Sequence, residues 1–325
     1  MTTAHASPAD GPEPLPFEEL RVPVPGGDLA VLRWAAADPG APTVLALHGI
    51  TANGLSWGPV ARRLAGRATL VAPDLRGRAG SRDLPGPYGI AVHADDAAAA
   101  AEALGLRRPV LAGHSMGAFT AAVAAVRHPG RFGPLLLVDG GLAFPAPTHL
   151  SADELMTAVI GPAMDRLSMT FRDRAAYRAF WRAHPAFADR WTPEVDAYIQ
   201  RDLVGEEPEL RSSCRPAAVR TDGVGLFDQD VLAAVRHLPS PATLLWADRG
   251  LMDEPQGLYD EERLARAALD GTGVTPLHAP DTNHYTVLTG ELGAALVADL
   301  LLKAAAGPTG RLPGSRASAR RGRAC

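Results

Sequence analysis

The feature that most constrains this chain is a Gly-x-Ser-x-Gly pentapeptide at residues 113–117, which reads Gly-His-Ser-Met-Gly. An apolar run of strand length, residues 108–112, precedes it, and a helix-forming stretch, residues 118–126, follows it. Strand, tight turn and helix in this order are the context in which the pentapeptide forms a nucleophile elbow, with a serine at strained backbone angles between two glycines. The pattern therefore predicts that Ser115 is a nucleophile at the end of a strand.

Apolar runs of strand length alternate with helix-forming stretches along most of the chain. The predicted strands are 20–24, 29–34, 43–47, 68–72, 110–112, 134–138, 242–246 and 274–277, and the predicted helices between and after them are 57–65, 91–105, 118–126, 259–269 and 290–305. Continuous apolar strands joined through helices are typical of a parallel sheet that is covered on both faces. The sequence predicts an α/β fold with a mostly parallel, doubly wound sheet.

The alternation is interrupted between residues 142 and 238. This stretch has no comparable strand, and it predicts helices at 151–168, 173–184, 193–203 and 228–236. Because both flanks are needed to complete one sheet, we expect an inserted helical cap rather than a separate domain. The predicted organisation is a disordered N-terminus (1–16), a core (17–144 and 239–306), a cap (145–238) and a disordered basic tail (307–325).

The predicted cap is rich in aromatic residues, which indicates an apolar roof over a pocket. Core packing explains most of them equally well. They are Phe171, Tyr177, Phe180, Trp181, Phe187, Trp191 and Tyr198.

Composition excludes several classes of partner. The net charge is only −4, so electrostatics favours neither a nucleic-acid nor a membrane partner. The two cysteines, Cys214 and Cys325, have no metal-ligand spacing, and no pattern indicates a metal or another cofactor. The N-terminus lacks the basic start and apolar run of an export signal, so a cytoplasmic location is expected. The expected partner is a small apolar molecule, and nothing in the sequence indicates the oligomeric state.

A serine hydroxyl needs a general base to accept its proton, and histidine suits this role at neutral pH. His284 lies in the loop between the last predicted strand and the last predicted helix. Such a loop emerges at the edge of the sheet where Ser115 is expected. The other histidines fall in tails, helices, the predicted cap or strand ends, and His48 is expected to be structural. His284 is therefore the predicted base.

Acyl transfer also needs backbone donors for the developing oxyanion. The amide of Met116, directly after the nucleophile, is one predicted donor. The second is expected in the loop after an early strand, where Gly49 permits a close approach of the backbone. This places the second donor at the amide of Ile50.

Taken in order, these motifs resemble the α/β-hydrolase superfamily. The resemblance rests on His48-Gly49, the loop 74–81 (Asp-Leu-Arg-Gly-Arg-Ala-Gly-Ser), the elbow and the late His284, and it covers about residues 20–140 and 240–305. Ala79 stands at a glycine position of the family's loop, and the cap matches nothing specific. The resemblance implies a Ser-His-acid triad.

The acid of that triad departs from the common pattern. Most members of the superfamily carry it after the seventh strand, where this chain has Gly250, with Asp248 and Asp253 close but out of register. Asp139 follows the sixth strand, the position used by a minority that includes pancreatic-type lipases and zearalenone lactone hydrolases. Adjacent strand ends can deliver a carboxylate to the same imidazole. We predict Asp139, with Asp248 and Asp253 as alternatives and a turn-capping role for Asp139 still open.

The function implied is a cofactor-independent serine hydrolase that cleaves an ester, lactone or thioester with an apolar acyl part. Two alternatives use the same residues, namely C–C bond hydrolysis of a β-diketone-like compound and cofactor-free perhydrolysis. From a different class, the fold can serve as a ligand sensor without turnover. No motif encodes the substrate, because cap side chains set the pocket.

Overall fold

A computed structural model describes residues 13–143, 154, 161, 163–188 and 190–307. The strands are β1 (Glu18–Val24), β2 (Gly27–Trp34), β3 (Thr43–Leu47), β4 (Thr69–Pro73), β5 (Val110–His114), β6 (Leu135–Val138), β7 (Leu203–Val204), β8 (Arg211–Ser212), β9 (Ala242–Arg249) and β10 (Val274–Asn283). The α-helices are Gly58–Leu64, Ile90–Ala103, Met116–Arg127, Arg174–Arg182, Pro193–Arg201, Pro216–Gly225, Gln229–Ala233, Glu261–Ala267, Thr286–Thr289 and Glu291–Ala306. Residues 163–168 are also helical, and short 3₁₀ turns occupy Gly54–Trp57, Ala79–Ser81, Pro185–Phe187 and Ala234–Arg236.

Eight of the strands form one sheet in the order β1-β2-β4-β3-β5-β6-β9-β10. The β1–β2 and β2–β4 pairs are antiparallel, and the pairs from β4 through β10 are parallel. Strands from both sides of the segment 139–241 therefore lie side by side in a single sheet. The predicted doubly wound, mostly parallel sheet is confirmed.

The strands are buried on both faces because successive side chains point to opposite sides of the sheet. In β3, for example, Leu45 and Leu47 join one apolar cluster, whereas Val44 and Ala46 join the other. Helices cover each cluster. Parallel strands place their carboxyl ends on one edge, so the loops after β3, β5, β6 and β10 meet there.

The structure differs from the expected elements in three places. The last strand runs to Asn283 instead of residue 277, with a register shift against β9 between Ala279 and Asn283. The segment between β6 and β9 contains the β7–β8 pair and the helix Pro216–Gly225, which were not expected. Two-residue strands are too short to show alternation, and glycines inside the helix weaken its sequence signal.

Several predictions lie wholly or partly outside the described residues. Of the expected helix 151–168, the structure describes residues 154, 161 and 163–168, and of the terminal segments expected to be disordered it describes 13–16 and 307. There the carbonyl of Leu15 accepts a hydrogen bond from the indole of Trp34 at 3.3 Å. In the described part of the chain, no helix is long and apolar enough to cross a membrane.

Candidate active site

Ser115 occupies a strained turn between β5 and the helix that starts at Met116. Its backbone angles are φ 54° and ψ −124°, outside the regions that ordinary residues prefer. A Cβ at Gly113 would lie 2.0 Å from the carbonyl oxygen of Gly117, and one at Gly117 would lie 2.2 Å from the carbonyl oxygen of Leu47. Both positions therefore require glycine. The turn holds Ser115 at the carboxyl edge of the sheet.

Asp139 directly follows β6 and faces His284. Its Oδ2 accepts a hydrogen bond from Nδ1 of His284 at 2.7 Å, and its Oδ1 accepts one from the amide of Ala247 at 3.2 Å. Its own amide donates to the carbonyl of Leu245 at 2.7 Å, and the residue is fully buried. Because Nδ1 of His284 carries the shared proton, Nε2 of the neutral imidazole is the nitrogen that can accept a proton. Asp139 and His284 are thus joined by a buried hydrogen bond that leaves Nε2 of His284 unpaired with Asp139.

The two alternative acids lie elsewhere. Asp248 accepts hydrogen bonds from His278 and from the amide of Asp281. Asp253 accepts hydrogen bonds from Arg249 and from the side-chain amide of Asn283, at 3.0 and 2.9 Å. Neither carboxylate bonds to the imidazole of His284. The geometry favours Asp139.

The loop that carries His284 is fixed by Asn283. Its side-chain oxygen accepts hydrogen bonds from the amides of Tyr285 and Thr286 at 3.0 and 2.8 Å. Its side-chain nitrogen donates to the carbonyl of Ala186, in the segment between β6 and β9, at 3.1 Å. Asn283 therefore connects the loop that carries His284 to the segment between β6 and β9.

His114, inside the elbow, holds the backbone of His284. Its Nε2 lies 2.7 Å from the carbonyl oxygen of His284, and since a carbonyl can only accept, this nitrogen carries the proton. Burial, followed by repulsion from His284, holds the pKa of His114 well below its usual value. This role was not predicted from the sequence, although His114 lies next to Ser115 in the pentapeptide. His114 therefore stays neutral and links the elbow to the loop that carries His284.

The loop after β3 approaches the nucleophile closely. A Cβ at Gly49 would lie 3.3 Å from Cβ of Ser115. Among the described residues, the Ile50 amide donates to no protein acceptor, and the Met116 amide starts its helix and so has no acceptor within it. Ile50 and Met116 both line the cavity at Ser115. Their amides are therefore available to an oxyanion.

His48 supports this loop from below. Its Nε2 accepts a hydrogen bond from the amide of Leu75 at 2.8 Å, so its Nδ1 is protonated and donates to the carbonyl of Gly49 at 2.7 Å. Complete burial lowers the pKa of His48 to about 3. The imidazole is neutral and structural in this arrangement.

Two adjoining cavities open at the carboxyl edge of the sheet. The first, here called the Ser115 cavity, has a volume of about 60 Å³ and is lined by Ser115, Asp139 and His284 together with mostly apolar side chains. The second, here called the wide cavity, has a volume of about 790 Å³. Their shared lining residues are Ala163, Leu251, Leu258 and Tyr285.

The aromatic residues expected to roof a pocket divide into two groups. Tyr198 lines the Ser115 cavity, and Phe180 and Trp181 line the wide cavity. Those that line neither cavity pack against other rings or the apolar core: Phe171, Tyr177, Phe187 and Trp191. Three of the seven rings are thus placed to contact a ligand.

Within the described residues, Ser115 has no hydrogen bond to His284 of ordinary length and angle. Catalytic hydrogen bonds of ligand-free enzymes are often long and shorten when substrate binds. The His, Cys, Asp and Glu side chains of the described ranges form no group of three or more that could hold a metal ion.

Comparisons with known proteins identify the family to which the chain is similar. A family model for the alpha/beta hydrolase fold matches residues 42–291. N-formylmaleamate deformylase from Pseudomonas putida is 31% identical over 217 residues, which cover 63% of this chain and 80% of that protein. The 2-(acetamidomethylene)succinate hydrolase from Mesorhizobium japonicum is 27% identical over 249 residues, which cover 75% of this chain and 82% of the relative.

Solved structures show the same architecture. The crystal structure of E-2-(acetamidomethylene)succinate hydrolase aligns with a TM-score of 0.73 at 23% identity, over 88% of this chain and 99% of that one. A thioesterase domain from the curacin biosynthetic pathway aligns with a TM-score of 0.67 at 26% identity, over 89% of this chain and 100% of that domain. The resemblance to the superfamily that the motifs indicated is confirmed.

Proposed function

Because the chain belongs to the α/β-hydrolase family, we propose that it is a serine hydrolase with Ser115 as nucleophile, His284 as base and Asp139 as the acid that orients the base. The observation that carries the proposal is the buried Asp139–His284 hydrogen bond of 2.7 Å, in the cavity that also contains the strained Ser115. A surface turn would need neither the strain nor the burial. Together these features match the requirements of an activated serine.

In the proposed mechanism, Oγ of Ser115 attacks a carbonyl carbon while Nε2 of His284 takes the hydroxyl proton. The carbonyl π electrons move to oxygen, and the Ile50 and Met116 amides bind the resulting oxyanion. The bond to the leaving group then breaks, and the imidazolium returns its proton to that group. Water attacks the acyl-enzyme by the same route, which releases the acid and restores the hydroxyl.

Asp139 acts on the charge of the base. When His284 becomes an imidazolium, the buried carboxylate of Asp139 stabilises that charge and keeps the ring in the productive tautomer. The hydrogen bond from Ala247 leaves Oδ2 free to face the imidazole. The acid is therefore fixed by backbone of the neighbouring strand β9.

The proposed substrate is an ester, lactone or thioester with an apolar acyl part. Apolar side chains, including Phe119, Leu226 and Leu288, dominate the lining of the Ser115 cavity. This cavity is too small for a large acyl group, and the adjoining wide cavity offers the space. We therefore place the reacting carbonyl in the first cavity and the larger part of the substrate in the second.

The relatives favour a second candidate, hydrolysis of an N-acyl group. N-formylmaleamate deformylase is, by its name, an enzyme that removes an N-formyl group, and it is 31% identical to this chain. The same serine, base and oxyanion donors serve an amide if His284 protonates the leaving nitrogen. The two candidates differ only in the leaving group.

A substrate panel tests both candidates. Short p-nitrophenyl esters, thioesters and N-acyl anilides are offered to the wild-type protein, and a fluorophosphonate probe reports whether Ser115 is activated. Turnover of the esters or thioesters alone favours the first candidate, and turnover of the anilides favours the second. If the probe does not react and a ligand only raises the melting temperature, the protein is a sensor and the proposal is wrong.

A further inference from the structure

Arg78 lies fully buried beneath the loop that carries Ile50. Its Nε and Nη2 donate to the carbonyl oxygen of Ile50 at 3.0 and 2.8 Å. Two donors from one planar guanidinium fix the direction of that carbonyl more strictly than a single bond would. Arg78 therefore holds the peptide that follows the proposed oxyanion donor.

The peptide before the donor is held as well. The carbonyl of Gly49 and the amide of Ile50 belong to one planar trans peptide, so the N–H points away from the C=O. His48 holds that carbonyl at 2.7 Å. With His48 on one peptide and Arg78 on the next, the backbone on both sides of the Ile50 N–H is fixed.

Arg78 is itself held by the segment between β6 and β9. Its Nη1 donates to Oδ2 of Asp222 at 2.5 Å, and Asp222 lies in the helix Pro216–Gly225. The same carboxylate oxygen lies 2.9 Å from Nε2 of His93, and all three side chains are fully buried. Burial alone would raise the pKa of Asp222, but attraction by His93 and Arg78 outweighs it and lowers the pKa to about 2. The carboxylate of Asp222 is therefore charged at neutral pH and pairs with the guanidinium of Arg78.

We propose that Arg78 is a positioning residue, which is locked by Asp222 and which holds the loop of Ile50 in the geometry that binds the oxyanion. This inference rests on the proposed function, because it assigns the Ile50 amide a role in acyl transfer. It also makes the segment between β6 and β9 part of the catalytic geometry. Displacement of Asp222 would release the loop that faces Ser115.

The test compares Arg78→Lys with Arg76→Lys. Arg76 is a matched control, since it is also buried and forms a bidentate pair with Asp96, but it bonds to no residue of the loop 49–51. Lysine keeps the positive charge but lacks the planar guanidinium whose two donors bond to one oxygen. With p-nitrophenyl acetate, we expect Arg78→Lys to lower kcat by about 10- to 100-fold, less than the 10²–10³-fold loss for outright removal of a donor. KM should change by less than roughly threefold, because the lost interaction acts in the transition state.

Hydrogen–deuterium exchange of a peptide that covers residues 48–57 supplies a second readout. Exchange should be faster in Arg78→Lys than in the wild type and unchanged in Arg76→Lys. Equal kcat and equal exchange in the two variants would overturn the inference, and faster exchange without a loss of kcat would overturn the catalytic role. If the wild type shows neither turnover nor reaction with fluorophosphonate, the proposed function is wrong. The anchoring of the loop by Arg78 is tested separately, because unchanged hydrogen–deuterium exchange of residues 48–57 in Arg78→Lys would refute it.

Because lysine fits the buried site of Arg78 poorly, the double variant Arg78→Gln/Asp222→Asn is prepared in parallel for the case that Arg78→Lys does not fold. It removes both charges together, which proteins tolerate better than the loss of one partner. The same fall in kcat and the same faster exchange are expected. A folded double variant with wild-type kcat would refute the proposal.

Discussion

The loops at the carboxyl edge of the sheet and the segment between β6 and β9 meet at the same cavities, but different bonds hold them in place. In the loops, backbone groups fix Ser115 and Asp139, whereas the side chains of Asn283 and His114 hold the loop of His284. The amide of Ser115 donates to the carbonyl of Val138 at 2.9 Å, and the carboxylate of Asp139 accepts from the amide of Ala247. The sheet itself therefore sets the positions of Ser115 and Asp139.

The segment is held by buried side chains instead. Arg166 is almost completely buried, and its Nη1 donates to the hydroxyl of Tyr177 at 2.7 Å and to the carboxylate of Asp202. Asp202 also accepts a hydrogen bond from the hydroxyl of Ser213 at 2.8 Å, and the guanidinium lies over the ring of Trp181 at 5.0 Å. Burial of such charges is costly, so this network contributes more to the shape of the cavity wall than to net stability.

Under the proposed function, the contrast predicts that the reaction and the substrate preference depend on largely different residues, with Asp222 as the exception because it holds Arg78. We expect that exchange of the proposed triad residues at the strand ends abolishes the proposed reaction. We expect that exchange of side chains in the cavity wall changes the substrate preference, provided that the buried network survives.

The largest expected effect is that of Ser115→Ala. Loss of the nucleophile of a triad costs about 10⁶-fold in kcat, and alanine leaves the buried Asp139–His284 pair in place. Turnover of p-nitrophenyl acetate and labelling by fluorophosphonate measure the effect, with thermal melting as the control for folding. Labelling of the alanine variant would move the nucleophile to another residue.

The next largest effect is expected for Asp139→Asn. An amide in place of the acid favours the wrong imidazole tautomer and cannot stabilise the imidazolium, so kcat should fall by about 10³–10⁴-fold. Asp248→Asn is the matched control, because Asp248 bonds to His278 and not to His284, and it should cost less than about tenfold. A folded, fully active Asp139→Asn together with an inactive Asp248→Asn would return the acid to the strand β9.

The same contrast explains what the sequence predicts well. Ser115, His284 and Asp139 each follow a strand, and apolar runs bounded by glycines predict where strands end. The mostly parallel pairing and the two-face burial of the sheet follow from the same pattern, whereas the strand order was not predicted. The proposed roles of these residues still await measurement.

Other features depend on contacts that no local pattern encodes. The bond from His114 to the carbonyl of His284 joins residues 170 positions apart, and the bond from Arg78 to Asp222 joins residues 144 apart. Arginines and aspartates of this kind are indistinguishable from surface charges in the sequence, since burial is set by the folded chain. The helix Pro216–Gly225 was missed for the same reason, because its buried contacts rather than its propensity stabilise it.

A smaller effect on the cavity wall is expected for Phe180→Ala. Phe180 lines the wide cavity and is only partly buried, so its loss should spare the fold. We expect KM for p-nitrophenyl octanoate to rise about tenfold, in keeping with the contact energy of one aromatic ring, and KM for the acetate to stay unchanged. Trp191→Ala is the control, since Trp191 lines neither cavity. Equal effects on both esters would mean that the larger part of the substrate lies elsewhere.

The smallest expected effect concerns the stability of the folded protein at acid pH, and it arises from the buried imidazoles of His48 and His114. Burial lowers the folded-state pKa of His48 to about 3 and that of His114 well below its usual value, whereas both titrate near 6.5 in the unfolded chain. Below about pH 6.5 the unfolded chain therefore binds protons that the folded protein does not. The free energy of unfolding should be fully maintained above that pH and should decrease as the pH falls, by about 1 kcal/mol per histidine near pH 6.

Urea unfolding at pH 7.5, 6.5 and 5.5 measures this dependence. His48→Asn lowers stability at every pH, because it loses the bonds to Gly49 and Leu75, so the comparison uses the slope of the free energy against pH. With one buried histidine removed, the slope below pH 6.5 should decrease by up to about 1.4 kcal/mol per pH unit. An unchanged slope would show that His48 takes up a proton in the folded protein. The protonated imidazole could not then accept the hydrogen bond from the amide of Leu75, although its Nδ1 would still donate to the carbonyl of Gly49.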